Sequence, residues 1–133
     1  MISVLPMNEL NRLAVTAEAE GLALSEIVPI CERYCVAPTD VLNELSIAVA
    51  ECYLDGSLTY AFCDVVMNGI INAIVDLSVT GVMPQPAFSL YQAFDEGEWL
   101  RSEDPPGTDA GAKYTKPVVV EIMRVLKASS EVG

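Results

Sequence analysis

No histidine occurs anywhere in the 133 residues. That removes the commonest general base and the commonest zinc ligand, and with them every Ser-His or Cys-His nucleophile pair. Positive charge is scarce as well: 7 Lys and Arg stand against 19 Asp and Glu, giving a net charge of −12. From Tyr34 to Leu100 there is no cation at all, while the same stretch carries Asp40, Glu44, Glu51, Asp55, Asp64, Asp76, Asp95, Glu96 and Glu98. The last third holds Arg101, Lys113, Lys116, Arg124 and Lys127. A body of this charge repels phosphate backbones, so nucleic acid is not an expected partner. It attracts and steers a basic protein, although acidity also serves solubility alone.

Phosphate-binding glycine loops and nucleotide fingerprints are missing. Asp55-Gly56-Ser57 and Asp95-Glu96-Gly97-Glu98 lack the alternating oxygen ligands of a calcium loop. The first residues lack the basic start and the apolar length of a signal peptide, which points to the cytoplasm and to reduced thiols. Cys31 and Cys35 stand at a spacing unusual for zinc, and Cys52 and Cys63 come singly from other segments. Small buried apolar residues is the main expectation for them, with a four-thiolate metal site and a disulfide as alternatives. No cofactor is expected.

What is present is apolar residue in quantity, 52% of the chain, enough for one core in a domain of this length. The patterning predicts a single all-α domain over 1–133, a bundle of about six helices. Helix one spans about 8–20, with Leu10, Leu13, Ala14 and Ala17 inward and Gly21 as its stop. Helix two starts near a Ser25 cap and runs to about Val36, with Pro29 near its first turn. A third, capped by Thr39 or Asp40, turns Leu42, Leu45, Val49 and Cys52 inward and ends at Asp55-Gly56. The fourth, over about 58–78, is the apolar centre of the bundle. Helix five covers about 87–96, placing Phe88, Leu90, Tyr91 and Phe94 inward. A long acidic loop, 98–116, precedes a last helix to about Lys127 with Val119, Ile122, Met123 and Leu126 inward, and 128–133 is expected to fray.

The most specific pattern lies in the fourth helix. Asp64, Asn68, Asn72 and Asp76 recur every four residues and form one polar file at helical periodicity. The flanking files are Ala61, Val65, Gly69 and Ala73 on one side and Met67, Ile71, Val75 and Val79 on the other. A strip one side chain wide predicts a helix enclosed by protein on most sides, with the file as a polar seam that registers its neighbours. A solvent strip and a ligand groove are the two alternatives. A membrane span is disfavoured, because a carboxylate in mid-bilayer costs about 2.5–3.5 kcal/mol.

No residue pattern marks a catalytic site, and the chain leans away from being an enzyme. The functional expectation rests on Tyr91, Phe94, Asp95, Glu96, Glu98 and Trp99, where aromatics and acids are interleaved beside the long loop. Aromatic anchors ringed by acids suit a basic protein partner. The general character resembles that of small acidic bacterial immunity, antitoxin or inhibitor proteins, a resemblance of type without a shared motif. The first alternative is a protein for metal or a small cation, with Glu44, Glu51 and Asp64 converging in an acidic cleft between helices. The second is a self-associating scaffold subunit, a homodimer in its simplest form.

Overall fold

A computed structural model describes residues 4–132 of the chain, with the side chains of residues 4–129. Six α-helices make up most of the described residues, and no strand occurs among them. They are α1 Met7–Glu20, α2 Leu24–Tyr34, α3 Pro38–Leu54, α4 Tyr60–Thr80, α5 Ala87–Glu96 and α6 Lys116–Val132, the last entered through a wider π-type turn at Gly111–Thr115. The all-α expectation is met, and α4 is the central element: α1, α2, α3 and α5 all pack on it.

The helix starts show how local chemistry sets the boundaries. α2 and α3 begin earlier than Ser25 and Thr39 suggest, after Ala23 and Ala37. In each, the carboxylate at the third helical position reaches back: Glu26 accepts the Ala23 N–H at 2.9 Å and Asp40 accepts the Ala37 N–H at 3.2 Å. One orphan donor is thus satisfied without a hydroxyl cap, and Pro38 occupies the first turn where its missing N–H costs nothing. Pro29 falls in the second turn of α2, on the exposed side. α4 starts conventionally, with Thr59 Oγ1 accepting the Phe62 N–H at 3.1 Å. The start of α5 is served from another helix, where Asn43 of α3 accepts the Ala87 N–H at 3.1 Å. The acidic loop is shorter than expected because Gly111–Thr115 is already helical, and α6 runs to Val132, five residues past the expected end at Lys127.

The core is one cluster. Leu13, Ile27, Leu42, Leu45, Met67, Ile70, Ile74, Leu90 and Phe94 are fully enclosed, each stabilising the fold by about 1.5–3 kcal/mol through burial. Buried polar groups find partners. Glu44 accepts the N–H groups of Val4 and Leu5, both at 2.9 Å, which ties the N-terminal segment to α3. Ser46 donates to the Leu42 carbonyl, and Glu9 pairs with Arg12 at 2.7 Å.

α4 buries Cys63, Val66, Met67, Ile70, Ala73 and Ile74, a single stripe. Its enclosure on most sides is therefore not observed. Asn68, Asn72 and Asp76 are exposed and Asp64 is half-buried; of the flanking files Ala61, Val65, Val75 and Val79 are exposed, Gly69 and Ile71 half-buried, and Met67 and Ala73 buried. The polar file is a solvent strip half a turn from the core stripe. The helix carries more apolar residues than one face can bury, so apolar content misstates its environment.

α1 and α4 cross in backbone contact. A Cβ on Gly69 would stand 2.2 Å from the Ala17 carbonyl oxygen and 3.3 Å from Gly21 Cα. The Gly69 carbonyl also accepts the Leu22 N–H at 2.9 Å, where the chain turns out of α1 through Gly21 at φ +81°. Replacing Gly69 by Ala must spread this crossing. Overpacking of this kind outweighs the better helix propensity of Ala. Gly69→Ala is expected to lower stability by about 2 kcal/mol or more, read from the denaturant midpoint.

Candidate functional site

The start of α4 and the end of α5 are joined by Tyr60. Its hydroxyl donates to the Phe94 carbonyl, and its ring lies 5.9 Å from that of Phe94 in a stacked pair. Tyr53 of α3 closes the trio edge-on, 5.2 Å from Phe94 and 6.2 Å from Tyr60. The joint is tight around Gly97, where a Cβ would meet Thr115 Oγ1 at 2.3 Å and Tyr60 Oη at 2.9 Å. Thr115 is fully buried and donates to the Ala93 carbonyl at 2.6 Å, which locks the entry of α6 onto α5.

One turn beyond Tyr60, this joint carries Asp64 to the level of Asp95 and Glu98. Burial raises the Asp64 carboxyl most, a hydrogen bond to Glu98 adds to it, and the charges of Glu98 and Asp95 add further, so that it titrates at about 7. Asp95 is raised as well, by burial and then by the charges of Glu98 and Glu96. Asn68, next in the file, donates from Nδ2 to Glu98 Oε2 at 3.0 Å. The Tyr91 phenol borders the same group and is raised by burial first, then by Asp95, Glu98 and Asp64. Burial and the Asp64 charge push the Tyr60 phenol far above its ordinary value. No ion pair from a Lys or Arg reaches Asp64, Asp95 or Glu98 among the described residues.

The cation closest in sequence to Glu98 is committed elsewhere. The Arg101 guanidinium lies between the rings of Trp99, at 3.8 Å, and Tyr114, at 3.5 Å. It donates to the carbonyls of Glu96 and Trp99 at 2.7 and 2.9 Å, and pairs with the Glu96 carboxylate. Asp104 completes the loop. It accepts from Lys113, from the Tyr114 hydroxyl at 2.6 Å and from the Arg101 N–H at 2.9 Å, and these bonds hold its carboxyl at about 2. The loop is thereby a folded structure built around one arginine, which stacks better than lysine on aromatic faces.

The residues expected to meet a partner divide accordingly. Tyr91, Asp95 and Glu98 gather at the carboxylate cluster. Glu96 is engaged by Arg101, and Trp99 lies 54% exposed with one face against the same guanidinium. Phe94 is corrected outright: it is fully buried and cannot anchor a partner, because its position in α5 points at Tyr53 and Tyr60. From the polar file, Asp64 and Asn68 join the cluster, while Asn72 and Asp76 lie further along the exposed face. The metal alternative of Glu44, Glu51 and Asp64 does not form. Glu44 is turned inward onto Val4 and Leu5, and no group of three or more Cys, Asp or Glu is placed to hold a metal ion among the described residues. All four cysteines are unbridged, and Cys63 is fully buried, with burial lifting its thiol to about 12. Sequence reading missed Tyr60 and Arg101. Tyr60 extends the four-residue file backward by one step, and Arg101 is the first cation after Arg33, so both carried a signal.

Comparison with family models, curated proteins and solved structures finds no match for this chain.

Asp64 gives stability a defined pH dependence. Its carboxyl binds a proton more tightly in the folded state, so the folded chain holds more protons than the unfolded one between about pH 4 and 7. Stability is full below that window and falls as pH rises through it. With the group more than half solvent-screened, the loss is about 1–2 kcal/mol. Denaturant melts at pH 5 and pH 8 are expected to differ in this direction, and Asp64→Asn to remove most of the difference and to raise stability at pH 8.

Proposed function

We propose that this chain is a non-enzymatic, acidic protein-binding domain whose partner presents Lys or Arg side chains to Asp64, Asp95 and Glu98. The observation that supports it is the meeting of these three carboxylates with no cation of the chain's own among the described residues. Their mutual repulsion is a standing cost in the free protein, and an incoming guanidinium or ammonium group relieves it. Perturbed groups of this kind concentrate at functional sites. Asn68 and the Tyr91 hydroxyl add neutral hydrogen-bonding groups at the edge, and the open edge of Trp99 adds apolar surface nearby. The net charge of −12 steers such a partner from a distance. An immunity, antitoxin or inhibitor protein acting in the bacterial cytoplasm on a basic partner is the role that suits this chemistry best.

A small organic cation is the second reading favoured by the same carboxylates, since a polyamine carries the charge of several Lys side chains. A titration with a Lys- and Arg-rich peptide of about ten residues, and separately with spermidine, distinguishes the two. Peptide affinity is expected to fall about tenfold or more between about 50 and 200 mM salt. The triple change Asp64→Asn, Asp95→Asn, Glu98→Gln should weaken the peptide about tenfold more than Glu18→Gln, Glu20→Gln, Glu32→Gln, which has the same net charge. Equal losses in the two triple variants would place the basic partner elsewhere, and tight spermidine binding without peptide binding would favour the small cation.

A further inference from the structure

Arg101, at the start of the long loop, occupies a complete recognition site. The Trp99 and Tyr114 rings cover the two faces of its guanidinium, at 3.8 and 3.5 Å. Three acceptors meet its edge. The Glu96 and Trp99 carbonyls, at 2.7 and 2.9 Å, both take N–H groups from one terminal nitrogen, and the Glu96 carboxylate takes one from the other. Only 17% of the side chain is exposed. Two aromatic faces with acceptors in the plane between them suit a guanidinium in particular. A lysine ammonium has no plane to stack, and a fully methylated ammonium would leave the three acceptors unpaired.

The walls of this cage stand on bonds that the guanidinium does not make. Tyr114 is held by its hydroxyl, which donates to Asp104 at 2.6 Å. The chain at position 101 is held by its backbone N–H, which donates to the same carboxylate at 2.9 Å. Lys113 completes the hold on Asp104, and its ammonium lies 5.3 Å from the Tyr114 ring. On the other side, the Gly97 N–H donates to the Phe94 carbonyl and the Glu98 N–H to that of Asp95, at 3.2 Å each, which fixes the turn leading from α5 to Trp99. A site framed in this way keeps its shape when its occupant leaves. Trp99, one of its walls, is 54% exposed and gives the occupant a way out. The cage also adjoins the carboxylate cluster, since Glu96 follows Asp95 in the chain and Trp99 follows Glu98.

We propose that the Trp99–Tyr114 cage is an arginine-binding site, which Arg101 fills in the free protein and yields to an arginine of the basic partner. The inference rests on the reading of the chain as a receptor for basic side chains, and it adds to the carboxylate cluster a second contact with its own specificity. Arg101 is then an autoinhibitory ligand. Tethered beside its cage, it competes at high effective concentration, so a lone free arginine displaces it poorly. A partner already anchored at Asp64, Asp95 and Glu98 presents its next arginine at a comparable effective concentration and exchanges with it. The cluster accepts lysine and arginine alike, and the cage selects arginine.

Arg101→Lys tests the exchange, because it keeps the charge and weakens the internal occupant. Calorimetric titration uses two peptides of about ten residues that differ only in carrying Arg or Lys at every basic position. The Arg peptide is expected to bind Arg101→Lys about fivefold tighter than it binds wild type, and the Lys peptide to bind both equally. Equal affinity of the Arg peptide for the two proteins would overturn the exchange. So would a loss of affinity, the result expected if Arg101 only braces the loop. Arg101→Ala gives an independent readout through Trp99, the only tryptophan of the chain. Millimolar methylguanidinium should return the Trp99 emission of this variant to its wild-type position, and methylammonium at the same ionic strength should not. No response to either would mean that the walls collapse without Arg101, and would overturn the cage. The triple carboxylate variant separates this inference from the reading it rests on. If that variant loses the peptide but Arg101→Lys has no effect, the exchange alone falls. If that variant matches its charge control while Arg101→Lys still tightens the Arg peptide, the cluster falls and the cage stands. No peptide binding by any form would overturn both.

Discussion

The crossing of α1 and α4 at Gly69 fixes the rotation of α4, and the rest of the molecule follows from that rotation. Backbone meets backbone there, through the Leu22 N–H on the Gly69 carbonyl and the Ala17 carbonyl in the space a Cβ would fill. With the helix held in this orientation, Met67, Ile70 and Ile74 enter the core and Val65, Val75 and Val79 face out. The sequence alone gives little reason for one choice over the other, since both sets are apolar. A helix apolar nearly all round is positioned here by its one residue without a side chain, which α1 can approach closely. The same rotation sends Asp64 toward α5 and so creates the carboxylate cluster.

That cluster is a place where the fold leaves an unfavourable interaction unrelieved. The fold has the means to neutralise an acidic group, as it does at Asp104 with Lys113, Tyr114 and the Arg101 N–H. It does not do so at Asp64, where burial and two neighbouring carboxylates combine to favour the protonated form. Arg101 lies close in sequence to Glu98 but is held between Trp99 and Tyr114 and hydrogen-bonded to Glu96. Its commitment leaves the three carboxylates available to a cation from outside. Stability that a cation could supply at the cluster is spent instead on folding the loop around Arg101.

Much of the architecture was legible in the residues. The spacing of Leu10, Leu13, Ala14 and Ala17, the breakers at Gly21 and Asp55-Gly56, and the span 87–96 of α5 all follow from periodicity and local turn chemistry. Helix starts fall two to three residues earlier than the pattern suggests where a carboxylate reaches back from inside the helix, because such a cap lies after the start it serves. The site was half legible. The pattern groups Asp64 with Asn68 and Asp95 with Glu98 as separate features, and their meeting follows from the Tyr60 bond to the Phe94 carbonyl, a contact between residues 34 apart. Periodicity reports which residues share a face and nothing about which face another helix will cover. That limit explains both the misjudged enclosure of the polar file and the assignment of buried Phe94 to a surface.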